Sequence, residues 1–182
     1  MEGQRLLYLA TTDKNQQVLI KFSRRYGKEL HEFCASIKRA PELLAFEKLP
    51  GGWFGVAMEY FPSAKRIVES EGRYDYGEHW LTNIIDVVNA FHARGYVHGD
   101  LRPPNFIVNG DKLFLIDFDW GGKDEEAIFP RKRLNPILRQ GRWDIRITKE
   151  HDTRTLGHIT REIKEAIGKA VVSCAYLSTK RR

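Results

Sequence analysis

The chain has 182 residues, a formal net charge of +6, 42% hydrophobic residues and 12% aromatic residues. A chain of this length buries about 70% of its unfolded surface, and this composition excludes a disordered protein. Cys34 and Cys174 are the only cysteines, which excludes a disulfide framework, so we expect a reducing compartment, the cytoplasm or the nucleus.

Neither a membrane nor a nucleic acid is an expected partner. No apolar stretch approaches the length of a membrane span, and no secretory signal follows Met1. Basic residues concentrate late in the chain, for example at residues 131–133 and 180–182, and such runs can attract nucleic acid. They show no repeated aromatic interleaving, so a solvated basic surface is the simpler interpretation.

The first sixty residues are predicted to be strands with one helix. Apolar residues 6–9 and 18–22 flank a polar turn and predict a β-hairpin. The apolar spacing over residues 25–38 predicts a helix. Residues 43–49 and 53–60 predict two further strands around a Pro-Gly-Gly turn.

The rest of the chain is predicted to be mainly helical. Residues 76–94 predict a long helix with one apolar side, ended by Gly95. Residues 106–108 and 113–116 predict a second hairpin around Asn-Gly-Asp. Residues 153–172 predict a last helix, and the polar, proline-containing segment before it is predicted to be irregular.

The most informative segment follows the long helix. From His98 to Asn105 the sequence HGDLRPPN places Asp100 and Asn105 at the two ends of a tight loop, and Asp117 follows the apolar run 113–116. Phosphoryl transfer from ATP needs a carboxylate that orients the attacking hydroxyl, and an amide plus another carboxylate that hold Mg²⁺. The spacing therefore predicts Asp100 as a catalytic base and Asn105 and Asp117 as metal ligands.

These motifs resemble the protein-kinase-like superfamily, and most of all its small fungal members with D-F-D-W-x-G in place of D-F-G. The resemblance runs from about Leu6 to about Ile167. It implies an α+β, kinase-like, two-lobed fold, with a reduced, β-rich first lobe at residues 1–61 and a truncated, mainly helical second lobe at residues 62–182. It also implies ATP and Mg²⁺ as cofactors, and a protein or small molecule with a hydroxyl group as substrate.

The resemblance implies roles for residues outside the loop. Lys21 ends the run VLIK, similar to V-A-I-K, and would bind the α- and β-phosphates of ATP. Glu29, in the helix that follows, would hold Lys21 in place, with Glu32 as the alternative. Arg102 would act in catalysis by balancing the charge of the transferring phosphoryl group.

Three further residues complete the predicted site. The segment Met-Glu-Tyr-Phe that contains Glu59 and Phe61 resembles the hinge of a kinase, where backbone groups of these two residues would pair with adenine. Asp152 resembles an acidic residue that braces the catalytic loop from below, and a role as N-cap of the last helix is compatible with it.

Three departures from the family pattern change these expectations. No G-x-G-x-x-G occurs, so the phosphate-covering loop is expected to be missing or replaced by residues near Met1. Asp119 replaces the glycine of D-F-G, which reduces the backbone freedom expected there and offers a further carboxylate near the metal. Gly99 replaces the arginine that binds an activating phosphate, and residues 118–147 contain no Ser, Thr or Tyr, so we expect no regulation by loop phosphorylation.

The sequence therefore favours an ATP- and Mg²⁺-dependent phosphotransferase, with Ser or Thr of a protein as the leading acceptor. A small-molecule kinase stays open, because HGD also resembles the loop of aminoglycoside- and RIO-type kinases. A pseudokinase scaffold is favoured by the missing Gly-rich loop and opposed by Lys21, Asp100, Asn105 and Asp117. The substrate and the oligomeric state are left open.

Overall fold

The computed structural model describes residues 6–67, 78–130 and 146–179. Within these ranges nine strands and three helices follow one another along the chain. They are β1 (Leu6–Thr11), β2 (Gln17–Ser23), α1 (Lys28–Ser36), β3 (Leu43–Leu49), β4 (Trp53–Glu59), β5 (Lys65–Arg66), α2 (Glu78–Ala93), β6 (Tyr96–Val97), β7 (Phe106–Asn109), β8 (Lys112–Leu115), β9 (Gly122–Lys123) and α3 (Lys149–Thr179).

The first four strands form one antiparallel sheet in the order β1-β2-β4-β3. Its register pairs Lys21 with Leu7 on one side and with Val56 on the other. Both hairpins predicted from the apolar runs are confirmed, with strand ends that differ by one or two residues. Lys21 therefore lies on a central strand, where two neighbours hold its backbone.

Helix α1 crosses between this sheet and the rest of the protein. It begins at Lys28 and not at residue 25, since Gly27 has the non-helical backbone angles φ −81° and ψ 69°. The Gly27 N–H donates to the Phe118 carbonyl oxygen at 2.8 Å. Leu30 and Cys34, one turn apart, are fully buried, so this face of the helix points into the core. A Cβ at Gly27 would lie 2.5 Å from the Gly121 carbonyl oxygen, which shows how closely the chain segments meet here.

Helices α2 and α3 contribute buried side chains to the main core. Ile84, Val88 and Phe91 repeat at helical spacing on α2 and are at most 1% exposed, and Ile159 and Ile163 of α3 are also buried. All five belong to one hydrophobic cluster. The long helix ends as predicted at Gly95, which has a φ of +75°, a conformation that glycine adopts at little cost.

The second hairpin is formed by β7 and β8, and β5 pairs with the free edge of β7, in the order β5-β7-β8. Strand β6 pairs with β9, which brings the start of the loop at His98 close to residue 121. Helix α3 begins at Lys149, four residues before the predicted start. Asp152 therefore lies inside the first turn, and the predicted N-cap role is wrong, because its carboxylate is turned toward the loop after β6.

Several expectations fall on residues outside the described ranges. They concern the amino terminus before residue 6, the connection and helix start at residues 68–77, most of the irregular segment at residues 131–145, and residues 180–182. The division into lobes at residues 61 and 62 stays a prediction. Over the ranges that are described, no helix has the length and apolar character needed to cross a membrane.

Candidate active site

The loop between β6 and β7 holds three predicted site residues in one hydrogen-bonded group. The Asn105 side-chain Nδ2 donates to the backbone oxygen of Asp100 at 2.7 Å and to its carboxylate Oδ2 at 3.0 Å. The Arg102 Nη2 atom lies 3.1 Å from the same carboxylate oxygen. The structure therefore brings Asp100, Arg102 and Asn105 together, in the arrangement that the loop spacing predicts.

The surroundings of Asp100 suit a group that accepts a proton. Burial raises the pKa of this carboxyl, and the Arg102 guanidinium and the hydrogen bond from Asn105 oppose that effect. A raised pKa brings a carboxylate closer to the range in which a general base works at neutral pH. The Arg102 side chain is 45% exposed, so its guanidinium is also accessible to a ligand in the cleft.

Asn105 carries an oxygen that the described protein atoms do not use. Its side chain is almost fully buried, and its Oδ1 has no hydrogen-bond partner among the described residues. Leaving a buried amide oxygen unpaired costs free energy. Because the Nδ2 side of the amide is fixed on Asp100, the Oδ1 atom is held in one place and can serve a ligand.

Asp117 is placed beside Asn105 by the backbone. The Ile116 N–H donates to the Asn105 carbonyl oxygen at 2.9 Å, so the next residue lies at the loop. Asp117 has a φ of 69°, a left-handed conformation that Asp tolerates better than most residues. It is close enough to Asp100 that its charge raises the pKa of that carboxyl.

These oxygens fit Mg²⁺ as a shared ion. Mg²⁺ prefers one or two protein oxygens and takes its other ligands from phosphate and water. The described residues contain no group of three or more His, Cys, Asp or Glu that could enclose an ion by themselves. An amide oxygen from Asn105 and a carboxylate from Asp117 match this preference for one or two protein oxygens.

Asp152 supports the loop from helix α3. Its two carboxylate oxygens accept the backbone N–H groups of His98 at 2.7 Å and Gly99 at 2.8 Å, and one of them lies 3.2 Å from Nε2 of His92. The His98 ring is buried, with Nε2 at 3.2 Å from the Ile116 carbonyl oxygen. The predicted bracing of the loop by Asp152 is confirmed.

Lys21 contacts two carboxylates across the cleft. Its Nζ lies 2.6 Å from an oxygen of Asp117 and 2.6 Å from an oxygen of Asp119. All three side chains are largely buried, since their exposed fractions are 13%, 15% and 29%. Burial raises the pKa of the Asp119 carboxyl, Lys21 opposes that effect and Asp117 adds to it.

The predicted pairing of Lys21 with Glu29 is not formed. Glu29 lies on the exposed side of α1, and the alternative, Glu32, is also exposed and pairs with Lys28 at 3.3 Å. The physical reason is the rotation of the helix, which turns Leu30 and His31 inward. Glu29 adjoins the apolar face in sequence but lies outside it in space.

His31 occupies the inward position and contacts the D-F-D segment. Its ring stacks on Phe118 with centroids 4.5 Å apart and an angle of 11° between the planes. Its two nitrogens lie 2.7 Å from the Tyr26 hydroxyl and 2.7 Å from the Pro41 carbonyl oxygen. Burial lowers the pKa of His31 to about 4, so the ring is neutral at neutral pH.

Sequence reasoning missed His31 and the contact between Lys21 and Asp119. The signal for Asp119 was the second acidic residue of D-F-D. The apolar spacing of α1 gave no sign of His31. A pattern of apolar residues does not count a histidine, even where hydrogen bonds to both ring nitrogens allow it to be buried.

A cleft opens between the first sheet and the β7–β8 hairpin. Its walls include Leu19, Met58, Ile107 and Ile116, and the predicted hinge residues Glu59 and Phe61 close one side, while Lys21 and Asp117 lie at its polar end. Among the described residues, the Phe61 N–H has no backbone partner, and the Phe61 carbonyl oxygen accepts from Ala64 at 3.2 Å. The cleft thus joins an apolar slot to the group of charged residues, which suits a flat ring that carries phosphates.

Comparison with solved structures identifies the fold. The structure of the granulovirus kinase PK-1 of Cydia pomonella superposes with a TM-score of 0.63, covering 86% of this chain and 63% of that chain at 13% sequence identity. The protein therefore has an α+β fold of the protein-kinase-like type, as the motifs predict. This likeness shows the fold alone.

Curated relatives match parts of the sequence. A probable casein kinase I homolog of Encephalitozoon cuniculi is 29% identical over 126 residues, which is 59% of this chain and 40% of the relative. The maternal embryonic leucine zipper kinase of Xenopus laevis is 33% identical over 76 residues, which is 41% of this chain and 10% of the relative. The chain thus spans less than half the length of these two kinases. No family profile matches the sequence, and the narrower resemblance to small fungal members stays a prediction.

Proposed function

We propose that the protein transfers the γ-phosphoryl group of ATP to a hydroxyl group, in a reaction that depends on Mg²⁺. The observation that carries this proposal is that Lys21 and Asp117 meet at the polar end of the cleft, next to the hydrogen-bonded pair Asp100 and Asn105. Ser or Thr of a protein is the leading acceptor, because the similarity to curated proteins is to protein kinases.

The shape of the cleft supports a position for the nucleotide. We place adenine between Leu19 and Ile107, where the N–H of Phe61 and the carbonyl oxygen of Glu59 would pair with its edge. Lys21 would then contact the α- and β-phosphates. In this arrangement residues 1–61 and 62–182 form the two lobes on either side of the nucleotide.

Asn105 Oδ1 and the Asp117 carboxylate would hold Mg²⁺. When bound, the ion would neutralise charge on the phosphates and align them for displacement. The buried oxygen of Asn105 supports this assignment, since it is one of two buried acceptors that the described protein atoms leave without a hydrogen bond, and the other, Asp119 Oδ1, already has Lys21 as its ion-pair partner.

Asp100 would orient the acceptor. The hydroxyl would donate its hydrogen bond to the Asp100 carboxylate, which Asn105 and Arg102 hold in place. The hydroxyl oxygen would form a bond to the γ-phosphorus as the bond from that phosphorus to the bridging oxygen of ADP breaks, and the hydroxyl proton would pass to Asp100. Arg102 would balance negative charge on the phosphoryl group.

Thermal unfolding with ATP, with and without Mg²⁺, tests nucleotide binding by linkage. The proposal expects a higher melting temperature with ATP and a further rise with Mg²⁺, with the metal-dependent part lost in Asn105→Ala and Asp117→Ala. Turnover should be measured with a panel of peptide, aminoglycoside and other hydroxyl acceptors. Asp100→Asn should bind ATP like the wild type and lose turnover.

The outcomes separate the candidate functions. Turnover on a small molecule and not on peptides would replace the protein acceptor with the small-molecule alternative. Stabilisation by ATP without turnover on any acceptor would support a pseudokinase scaffold. Absence of any nucleotide binding would overturn the proposal.

A further inference from the structure

We propose that Asp119 is the positioning residue that holds Lys21 against the phosphates of bound nucleotide. In this protein Asp119 would hold Lys21 in place. The resemblance to kinases implies that role for Glu29 of helix α1, with Glu32 as the alternative. This inference rests on the proposed function. It concerns a residue of the D-F-D segment for which the resemblance implies no role.

Asp119 and Lys21 lie in contact in a largely buried place. The Lys21 Nζ atom lies 2.6 Å from Asp119 Oδ1, and the lysine side chain is only 13% exposed. A buried ammonium needs a carboxylate partner, because an unpaired buried charge is strongly destabilising. Asp119 provides that partner on the side of the cleft opposite to the sheet.

Asp117 is the other carboxylate that Lys21 contacts, and its charge would be shared once a metal ion is bound. Asp117 also contacts Lys21 at 2.6 Å, but the proposed function gives its carboxylate to Mg²⁺. A bound cation would share the negative charge of Asp117 and so weaken its attraction for the ammonium. Asp119 would then be the carboxylate whose charge serves Lys21 alone.

The backbone of Asp119 is held in a rigid turn. It is the middle residue of a short 3₁₀ turn, Phe118–Trp120. The Phe118 carbonyl oxygen accepts the N–H of Gly27 at 2.8 Å and the N–H of Gly121 at 3.2 Å. The Phe118 ring is buried against His31. A carboxylate on such a turn can fix the position of a flexible lysine.

Helix α1 offers no acidic side chain that could take the place of Asp119 beside Lys21. Its two candidate acids, Glu29 and Glu32, are exposed, and its inward positions carry Leu30 and His31. The position of Lys21 is therefore set by the turn after β8 and not by an ion pair to this helix. The helix contributes indirectly, because it holds the turn through Gly27 and His31.

A double-mutant cycle on nucleotide binding tests the inference. The variants are Asp119→Asn, Lys21→Met and the two together, and the ligands are Mg·ATP and adenosine, measured by titration calorimetry. We expect Asp119→Asn to weaken Mg·ATP binding about tenfold, which is about 1.4 kcal/mol, and to leave adenosine binding unchanged. In the Lys21→Met background the same substitution should have no further effect.

Matched variants control for charge and folding. Asp119→Glu should recover part of the lost affinity, since it keeps the carboxylate. Glu29→Gln and Glu32→Gln remove acids from α1 and should change neither ligand's affinity. Equal losses for Mg·ATP and adenosine in Asp119→Asn would reveal a structural role and overturn the inference.

Two other results would also overturn it, and they differ in what they say about the proposed function. If the wild type binds Mg·ATP and the two substitutions act additively, or Asp119→Asn binds as tightly as the wild type, only the role of Asp119 fails. If the wild type binds neither ligand, the proposed function fails and the role of Asp119 fails with it.

Discussion

Gly27 lies so close to the backbone of Gly121 that it could not carry a side chain in this structure. A Cβ at Gly27 would lie 2.5 Å from the Gly121 carbonyl oxygen, and a Cβ at Gly121 would lie 2.6 Å from Leu30 Cδ2. The contact joins the start of α1 to the segment after the D-F-D motif. It lets the Gly27 N–H reach the Phe118 carbonyl oxygen, so the turn that carries Asp119 depends on it.

The first prediction is that Gly27→Ala destabilises the protein by about 2 kcal/mol or more, because the atom it would meet is backbone and cannot rotate away. For a chain of this size the melting temperature should fall by about 4–8 °C. Gly157→Ala is the matched control, since Gly157 is exposed on helix α3 with nothing within 4 Å of an added Cβ. It should stabilise by about 1 kcal/mol. Equal melting temperatures for the two variants would show that the close contact is absent.

The second prediction concerns acid sensitivity and His31. Its pKa is lowered from 6.5 to about 4, so between these pH values the unfolded chain binds the proton that the folded protein excludes. Stability is then fully present above pH 6.5 and is lost as the pH falls toward 4, by up to about 3 kcal/mol from this group alone. Urea unfolding at a series of pH values measures the slope.

His31→Gln should flatten this slope, since glutamine does not titrate. His158→Gln, at an exposed position of α3, should leave the slope unchanged. A His31→Gln variant with the full wild-type slope would place the acid sensitivity elsewhere in the protein.

The third prediction is that arginine at position 99, the residue of the family pattern, lowers the stability of the protein. Gly99 has a φ of +77°, and an added Cβ would lie 2.6 Å from Cδ1 of Ile147, which is fully buried. The left-handed conformation costs about 1–2 kcal/mol for a residue other than glycine, and the contact adds to that cost. Gly99→Ala and Gly99→Arg should both lower the melting temperature.

Gly110→Ala separates the two costs for that prediction. Gly110 has a φ of +63° in the β7–β8 turn, but nothing lies within 4 Å of an added Cβ. The Gly110→Ala variant should therefore show the free-energy cost of the left-handed backbone alone, without a clash of the added Cβ. An equal fall in melting temperature for Gly99→Ala and Gly110→Ala would show that the contact with Ile147 adds no cost.

The fourth prediction is that Asp152→Asn loosens the loop between β6 and β7. Asparagine has one side-chain acceptor where Asp152 has two, so either the His98 or the Gly99 N–H would face an amide donor. We expect a loss of about 2–3 kcal/mol in stability, since these bonds go to a charged acceptor. Hydrogen exchange at His98 and Gly99 should accelerate. Glu150→Gln, at an exposed position of the same turn, should leave exchange at both amides as it is.

The loop between β6 and β7 was predictable from sequence because its contacts are local. Asp100 and Asn105 are five residues apart, so a tight turn alone brings them together. Strand and helix positions were also predictable, because apolar periodicity reports which side of an element is buried. Both depend on neighbours along the chain.

The partner of Lys21 was not predictable in the same way. Lys21 and Asp117 are 96 residues apart, and which carboxylate meets the lysine depends on how far α1 is rotated about its axis. That rotation is set by His31, whose bonds to Tyr26 and Pro41 let a polar residue take a core position. A periodicity argument counts His31 as outward and so brings Glu29 inward.

The brace at Asp152 also has a consequence for biosynthesis. The carboxylate lies 54 residues downstream of the His98 amide that it binds, and the ribosome delivers the chain from its amino terminus. On a nascent chain the loop must therefore emerge with these amides bonded only to water, after the first sheet is already available to fold. We expect the loop to close late, when helix α3 docks, so that nascent chains halted before residue 152 have a folded sheet and an unformed loop.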